Sequence, residues 1–480
     1  MMMKRFYLSL LAAVALTASA QTKEITILSV NDIHAAIERF PQFAALVDSA
    51  RQVHPDLLLL SGGDNRTGNP LNDMYPVTSY PMVALMNSVR FDLSAVGNHE
   101  FDSKPAGLRE VINLANFRHV CANMYPADTL RMHVEPYKMF ERNGVRIGIL
   151  GLIQVNSQGI PDAHPLAVKG ITFRPPEEVA REYAWLRERC DVLILLTHNG
   201  YEADIQLAKA FPEADVIIGG HSHTAVHGSK IHSGVLVTQA ERWLKYVTEV
   251  TLKLKDGKVV DKQARLIKVT DFPRKDEKVQ ALVDEFSRNE TLTRVVTRAD
   301  DDFMCKQELG CMMADAQRAA AEADIAVQNN GGVRFESLPK GNITVNDIYR
   351  LDPFGNELIV YNLTGEEVKR LLAAICRADD YGPAFVSGIQ YKIALGKDNK
   401  EVKKVEVKMP DGSKFDEKRT YKVVVNSYVA SVSNYEKADE GQNLFVTSAD
   451  EMIKYLEKQP SVNYRNVVRM TYTGGENIEK

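Results

Sequence analysis

The chain has few cysteines, no basic stripe and, beyond its first twenty residues, no long apolar run; each shortage removes a class of explanation. Its five cysteines, Cys121, Cys190, Cys305, Cys311 and Cys376, show no Cys-x-x-Cys spacing. That excludes a thiolate-rich structural zinc site, and an odd number cannot pair completely within one molecule. Small buried thiols are expected, with a Cys305–Cys311 disulfide as the alternative. A formal charge of -4, with 45% hydrophobic and 25% charged residues, describes an ordinary globular chain without the electrostatic footprint of a polymeric nucleic-acid binder. After residue 20 no apolar run approaches the roughly 18 residues that cross a bilayer, so no membrane span is expected. There is no tandem repeat, no low-complexity segment and nothing that specifies an oligomeric state.

What is present begins with an export leader. Lys4 and Arg5 form a charged start, Phe6 to Leu16 an apolar middle, and Ala18-Ser19-Ala20 a small-residue cleavage site, which implies a periplasmic or secreted protein beginning at Gln21. The 480 residues exceed the roughly 250 to 300 that one core supports, so two domains are expected. From Glu24 to about residue 270, short apolar runs alternate with helical stretches at Phe43 to Gln52, Tyr80 to Val89, Leu108 to Ala115, Pro176 to Arg189 and Ala203 to Ala210. This is an α/β pattern, and the unbroken runs Leu57 to Leu60 and Val192 to Leu196 suit central strands buried on both faces. The charged segment Arg274 to Arg298 carries Val279, Leu282, Val283 and Phe286 at helical spacing and reads as a linking helix over 271–300. Residues 301–480 have their own strands and helices, enough for a second, smaller α/β domain.

Five apolar runs of the first domain end in potential metal ligands. Asp32 and His34 follow Ile25 to Val30, Asp64 follows Leu57 to Leu60, Gly97-Asn98-His99-Glu100 follows Leu93 to Val96, His198 follows Val192 to Leu196, and His221 and His223 follow Val216 to Ile218. Asp-x-His and His-x-His put both side chains on one side of an extended segment, so each pair can reach one ion. Mixed imidazole and carboxylate donors suit Zn, Mn, Co or Fe. Seven candidate ligands exceed what one ion takes, and two ions sharing Asp64 explain the number; such pairs, roughly 3.5 to 4 Å apart, are a standard device for phosphoryl chemistry. A lone Asp-x-His is usually a surface loop. Five such pieces in order are not.

These motifs resemble the five of the calcineurin-like metallophosphoesterases, and Phe101-Asp102 narrows the resemblance to the 5'-nucleotidase family. The resemblance implies a four-layer αββα first domain, with Asp32, His34, Asp64 and His223 on one divalent ion and Asp64, Asn98, His198 and His221 on the other. It also implies a catalytic dyad of His99 and Asp102, which lie on one face of a helical turn. In the second half, Asn329-Asn330-Gly331-Gly332-Val333-Arg334 is similar to the signature of the family's carboxyl domain, where Arg334 would grip phosphate and Asn329 would face substrate. Phe385 and Tyr428 stand where family members sandwich a nucleobase. Ser431-Val432-Ser433-Asn434 replaces the usual Gly-Gly-Asp element, so Asn434 is the candidate for the ribose. The implied activity is hydrolysis of nucleoside 5'-monophosphates. A 2',3'-cyclic-nucleotide phosphodiesterase with 3'-nucleotidase activity, or a UDP-sugar hydrolase, is the alternative on the same site, and a non-catalytic nucleotide-binding protein a remote one.

Overall fold

The computed structural model of the chain describes residues 22–378, 382–396 and 401–474. The leader at 1–20 lies outside the described residues. Among those described, no helix is long and apolar enough to cross a membrane.

The front half is built on two six-stranded sheets. One runs Lys258–Lys268, Tyr246–Lys255, Lys23–Val30, Leu58–Ser61, Leu93–Ala95, Arg118–Val120; the other runs Lys230–His232, Val235–Thr238, Val216–Ile218, Val192–His198, Val145–Ile153, Tyr137–Arg142. Period-two alternation divides each apolar run between two layers. Ile25, Ile27, Leu58 and Leu60 of the first sheet pack with Val192, Ile194, Leu196 and Val216 of the second. Leu28, Val30, Leu57 and Leu59 face outward onto the helices Phe40–Val53 and Tyr80–Val89, and Leu193 and Leu195 face Leu207 and Phe211 on the opposite side. Both faces of the central strands are therefore covered, which gives the helix-sheet-sheet-helix layering and explains why those runs are uninterrupted.

In the back half, a five-stranded sheet runs Phe385–Ser387, Ile325–Gln328, Thr420–Asn426, Glu357–Thr364, Gln442–Thr447. Only Ile325–Gln328 and Thr420–Asn426 pair in parallel within it. Helices Lys306–Ala320, Gly365–Ala378 and Ser448–Glu457 flank it. A three-stranded sheet of Val402–Lys408, Gln390–Leu395 and Met470–Thr473 stands beside it.

Two sequence expectations change. Segment 271–300 is not one helix: Asp276 caps Glu277–Phe286, Asn289 caps the turn Glu290–Thr293, and Val295–Ala299 is a strand. Val279, Val283 and Phe286 join the front core with Phe40 and Met82, so this helix is a packed layer rather than a free connector. The stretch Pro176 to Arg189 breaks after Glu182 and continues as a tighter turn over Ala184–Glu188, with Tyr183 and Trp185 meeting Tyr137. None of the five cysteines forms a disulfide; Cys305 is exposed and unbonded to Cys311, and the other four are buried.

Candidate active site

The candidate ligands lie at the carboxyl ends of the parallel strands, where ligands of open α/β sheets collect. The first sheet presents Asp32, His34, Asp64, Asn98 and His99; the second presents His198, His221 and His223. The site thus sits on the seam between the sheets. Gly62 and Gly220 let the two rims touch: a Cβ on Gly220 would come 2.8 Å from His198 Nδ1 and 2.7 Å from the Gly62 carbonyl. Asp32, His34, Asp64, His221 and His223 all have positive φ, between 46° and 80°, a region that few residues other than glycine enter. Glu100, buried behind them, accepts the backbone N–H groups of Asp64, Asn65 and Gly97 at 2.9, 2.8 and 2.7 Å and ties two of these loops together.

The donor atoms converge in groups that could each hold a cation. One group is Asp32, His34 and His223, another Asp64, His198 and His221, and a third joins His34, Asp64 and His99, with the ligand atoms of each within 4.8 Å of one another. His34 Nε2 and His223 Nε2 are 3.1 Å apart, and His223 Nε2 is 3.4 Å from Asp32 Oδ1. His198 Nε2 lies 3.1 Å from both Asp64 Oδ2 and Asn98 Oδ1, and His221 Nδ1 lies 2.9 Å from Asn98 Oδ1.

The chemistry of this set fits a metal. The opposite ring nitrogens of His34 and His198 face the carbonyls of Thr67 at 3.0 Å and Gly62 at 2.7 Å. A carbonyl only accepts, so those nitrogens carry the hydrogen and the inward ones carry lone pairs. Around His198 Nε2, lone pairs then meet lone pairs, and a cation must separate them. Without a metal, a proton serves: burial disfavours charge on His198, but the Asp64 and Asp32 carboxylates outweigh it and push its pKa up to about 10. Burial alone would raise Asp64, yet the His198 and His99 imidazoles hold it well below the usual carboxylate range. Burial, aided by the Arg334 guanidinium, keeps His34 well below normal; burial brings His223 down to about 4 although Asp32 opposes it. Neutral imidazole is the form that binds metal.

His99 stands apart. Its Nδ1 is 2.8 Å from Asp102 Oδ2 across one 3-10 turn, and its backbone N–H donates to Asp64 Oδ1 at 2.8 Å. Burial works against its cation, but Asp102 and Asp64 together prevail and its pKa is raised.

From the back half, Arg334 reaches the same place: its Nη2 is 3.2 Å from His34 Nε2. Phe354 stacks on His99 with centroids 5.7 Å apart, and the Arg334 guanidinium carbon lies 5.6 Å from the centroid of the same phenyl ring. Tyr428, half-buried on the short helix Ser427–Val432, and the exposed Asn434 line the same cleft of about 2700 Å³ as Asn98, His99 and Arg334. Two further expected substrate residues, Phe385 and Asn329, also border this cleft but sit deeper in it. Phe385 is only 2% exposed, its ring packed where a Cβ on Gly310 would fall, so little of it is left for a base to stack on. Asn329 is buried and its Oδ1 accepts from the Asn426 amide at 3.0 Å and the Gln328 amide at 3.3 Å.

Three participants were not singled out from sequence: Glu100, Phe354 and Asp162. Glu100 lies inside the quoted Gly97-Asn98-His99-Glu100 motif, and Phe354 inside the stretch Pro353-Phe354-Gly355-Asn356; their positions there were the available signal. Asp162, whose Oδ2 is 3.3 Å from His221 Nε2, lies in a long loop with no local mark.

Two stacked sheets with seven metal-type donors on their shared rim define a calcineurin-like, metal-dependent phosphoester hydrolase. Residues 25–225 match the family model described as calcineurin-like phosphoesterase, and residues 289–438 that of the 5'-nucleotidase C-terminal domain. The chain belongs to the 5'-nucleotidase family. It is 30% identical to a 5'-nucleotidase of Vibrio cholerae over 78% of this chain and 80% of that one, and 27% identical to the protein UshA of Yersinia enterocolitica over 91% and 92%. The crystal structure of a 5'-nucleotidase precursor from Thermus thermophilus superposes with a TM-score of 0.83 at 26% identity, covering 94% of this chain and 99% of that one.

Proposed function

We propose that this chain is an exported two-metal phosphohydrolase of nucleotides, acting on nucleoside 5'-monophosphates to release nucleoside and orthophosphate. The observation that carries the reading is the continuity of one cleft from the metal-type donors and Arg334 to the ring of Tyr428 and the amide of Asn434. A phosphate and a base at opposite ends of one substrate need that arrangement. The leader-like residues 1–20 support export.

Asp32, His34, Asp64 and His223 would hold one cation and Asp64, Asn98, His198 and His221 the other. When bound, such a pair of Zn, Mn, Co or Fe ions polarises phosphoryl oxygens and increases the acidity of water. His99, whose cationic form Asp102 and Asp64 favour, and Arg334 neutralise the charge that develops on the transferring group. Phe354 fixes the plane of the His99 ring by stacking. Tyr428 offers a face to the base, and Asn434 a neutral hydrogen bond to a hydroxyl. In domain terms, we divide the chain into a front unit of 21–270, a connecting segment at 271–300 whose helix packs on that unit, and a back unit from 301.

A hydrolysis panel of the mature chain with AMP, 2',3'-cyclic AMP and UDP-glucose, under added Mn, Co or Zn, tests the reading. Adenosine and phosphate should form fastest from AMP. Failure to consume AMP while either other substrate is cleaved would replace it with the second reading, which Ser431 to Asn434 in place of an acidic ribose element favours. Failure with all three under every metal would leave only a binding protein.

A further inference from the structure

We infer that Asp162 is a positioning residue for the second cation site, holding His221 and Asn98 in register through two different groups. The inference rests on the reading of those residues as ligands. Strand Val145–Ile153 lies beside Val192–His198 in the second sheet, with Ile153 opposite His198, so the segment that follows it emerges at the same rim as the five motif loops. It is a sixth strand end at the site. Its start is tied there by the Gln154 N–H, which donates to the His198 carbonyl at 3.0 Å.

Asp162 then makes two contacts of opposite kind. Its backbone carbonyl accepts the Asn98 amide N–H at 3.1 Å, which turns the Asn98 Oδ1 toward His198 and His221. Its carboxylate Oδ2 lies 3.3 Å from His221 Nε2. A carboxylate facing an imidazole nitrogen favours N–H there, leaving the lone pair on Nδ1, the atom that points to Asn98 Oδ1. Asn156 steadies the arrangement by donating its Nδ2–H to Asp162 Oδ1 at 3.1 Å, while its backbone N–H closes the loop on the Ile160 carbonyl at 2.8 Å. His34 and His198 are oriented by neutral backbone carbonyls instead. The Asp162 carboxylate aims the His221 ring from beside the cleft.

Cobalt(II) binding to the full mature chain tests this. Bound metal is counted after desalting, affinity is read by competition with a chelator, and the visible absorption of bound cobalt is recorded for wild type, Asp162→Asn, Asp162→Ala and His221→Ala. We expect two ions in the wild type. Asp162→Ala should weaken one of them by roughly 10 to 100-fold and alter the cobalt spectrum, and Asp162→Asn, which can still accept from Nε2–H, should recover part of the loss. Unchanged affinities and spectra in both Asp162 variants, with one ion lost in His221→Ala, would overturn the positioning role. Two ions retained in His221→Ala would overturn the ligand reading beneath it. If the alanine variant does not fold, the asparagine variant decides by the same criteria.

Discussion

The two halves of the molecule deliver their functional groups to one cleft by different means. In the front half each donor terminates or immediately follows a strand buried on both faces, and its loop is pinned from behind, as Glu100 pins the Asp64 and Gly97 segments. In the back half Arg334, Phe354 and Asn434 sit on irregular connections and Tyr428 on a six-residue helix. Ions demand fixed donors with little positional latitude, whereas a base and sugar can be held by faces and edges that tolerate variation. The difference also has an electrostatic side. Asp32 and Asp64 of the front site sit among imidazoles and are held below the ordinary range, whereas Asp352 in the back half is buried beside the Ser448 hydroxyl and a backbone N–H, and its pKa rises to about 6.

The comparison breaks most sharply at Asp64. Asp64→Asn should lower turnover by on the order of 10³-fold or more and reduce bound metal below two ions, as metal analysis and steady-state kinetics would reveal; near-normal turnover would mean that the front cradle is not the reacting centre. Next, Arg334→Ala should cost roughly 10² to 10³-fold in kcat with metal content intact, and Arg334→Lys should restore only a fraction, because one ammonium does not reproduce a guanidinium fork. An equal loss of metal would move Arg334 into the structural support of the site. Tyr428→Ala should raise KM by about 5 to 150-fold, the equivalent of one base stack, with kcat nearly constant and Tyr428→Phe close to wild type. A fall in kcat alone would exclude stacking.

The smallest expected effect concerns pH. The Asp352 pKa is higher folded than unfolded, so the folded state favours its protonated form; the stabilisation is fully present below about pH 4 and is lost as pH rises through about 6. Asp352→Asn keeps an acceptor for Ser448 and removes the titration. Relative to that variant, the wild type should lose roughly 1 to 3 kcal/mol of stability between pH 4 and 7 in denaturant unfolding, and a constant difference across that range would contradict the assignment.

The front half was more legible in the sequence than the back for a physical reason. Apolar runs of strand length that end in Asp, Asn and His report both a buried sheet and its functional rim, so Asp32 through His223 could be collected without coordinates. The stacking of those strands into two sheets leaves no mark in their period, and neither do the left-handed backbones of five donors. Phe385 shows the limit in the back half: an aromatic in a short strand has the same local pattern however much of its ring faces a cleft, and the packing against Gly310 that leaves it 2% exposed at the cleft wall has no mark in the sequence. The helix Glu277–Phe286 was readable as amphipathic, but its stripe of Val279, Val283 and Phe286 does not say which layer it covers.

The seam between the sheets carries one more consequence. Three histidines hang from one β layer, while the aspartates, Asn98 and His34 hang from the other, so ions gripped by both would stitch together layers otherwise joined by apolar packing and a few hydrogen bonds such as that of His198 with the Gly62 carbonyl. The groups that serve turnover would then also serve cohesion, and a chelator should act on this protein as a gentle denaturant, lowering its melting temperature even where no substrate is present.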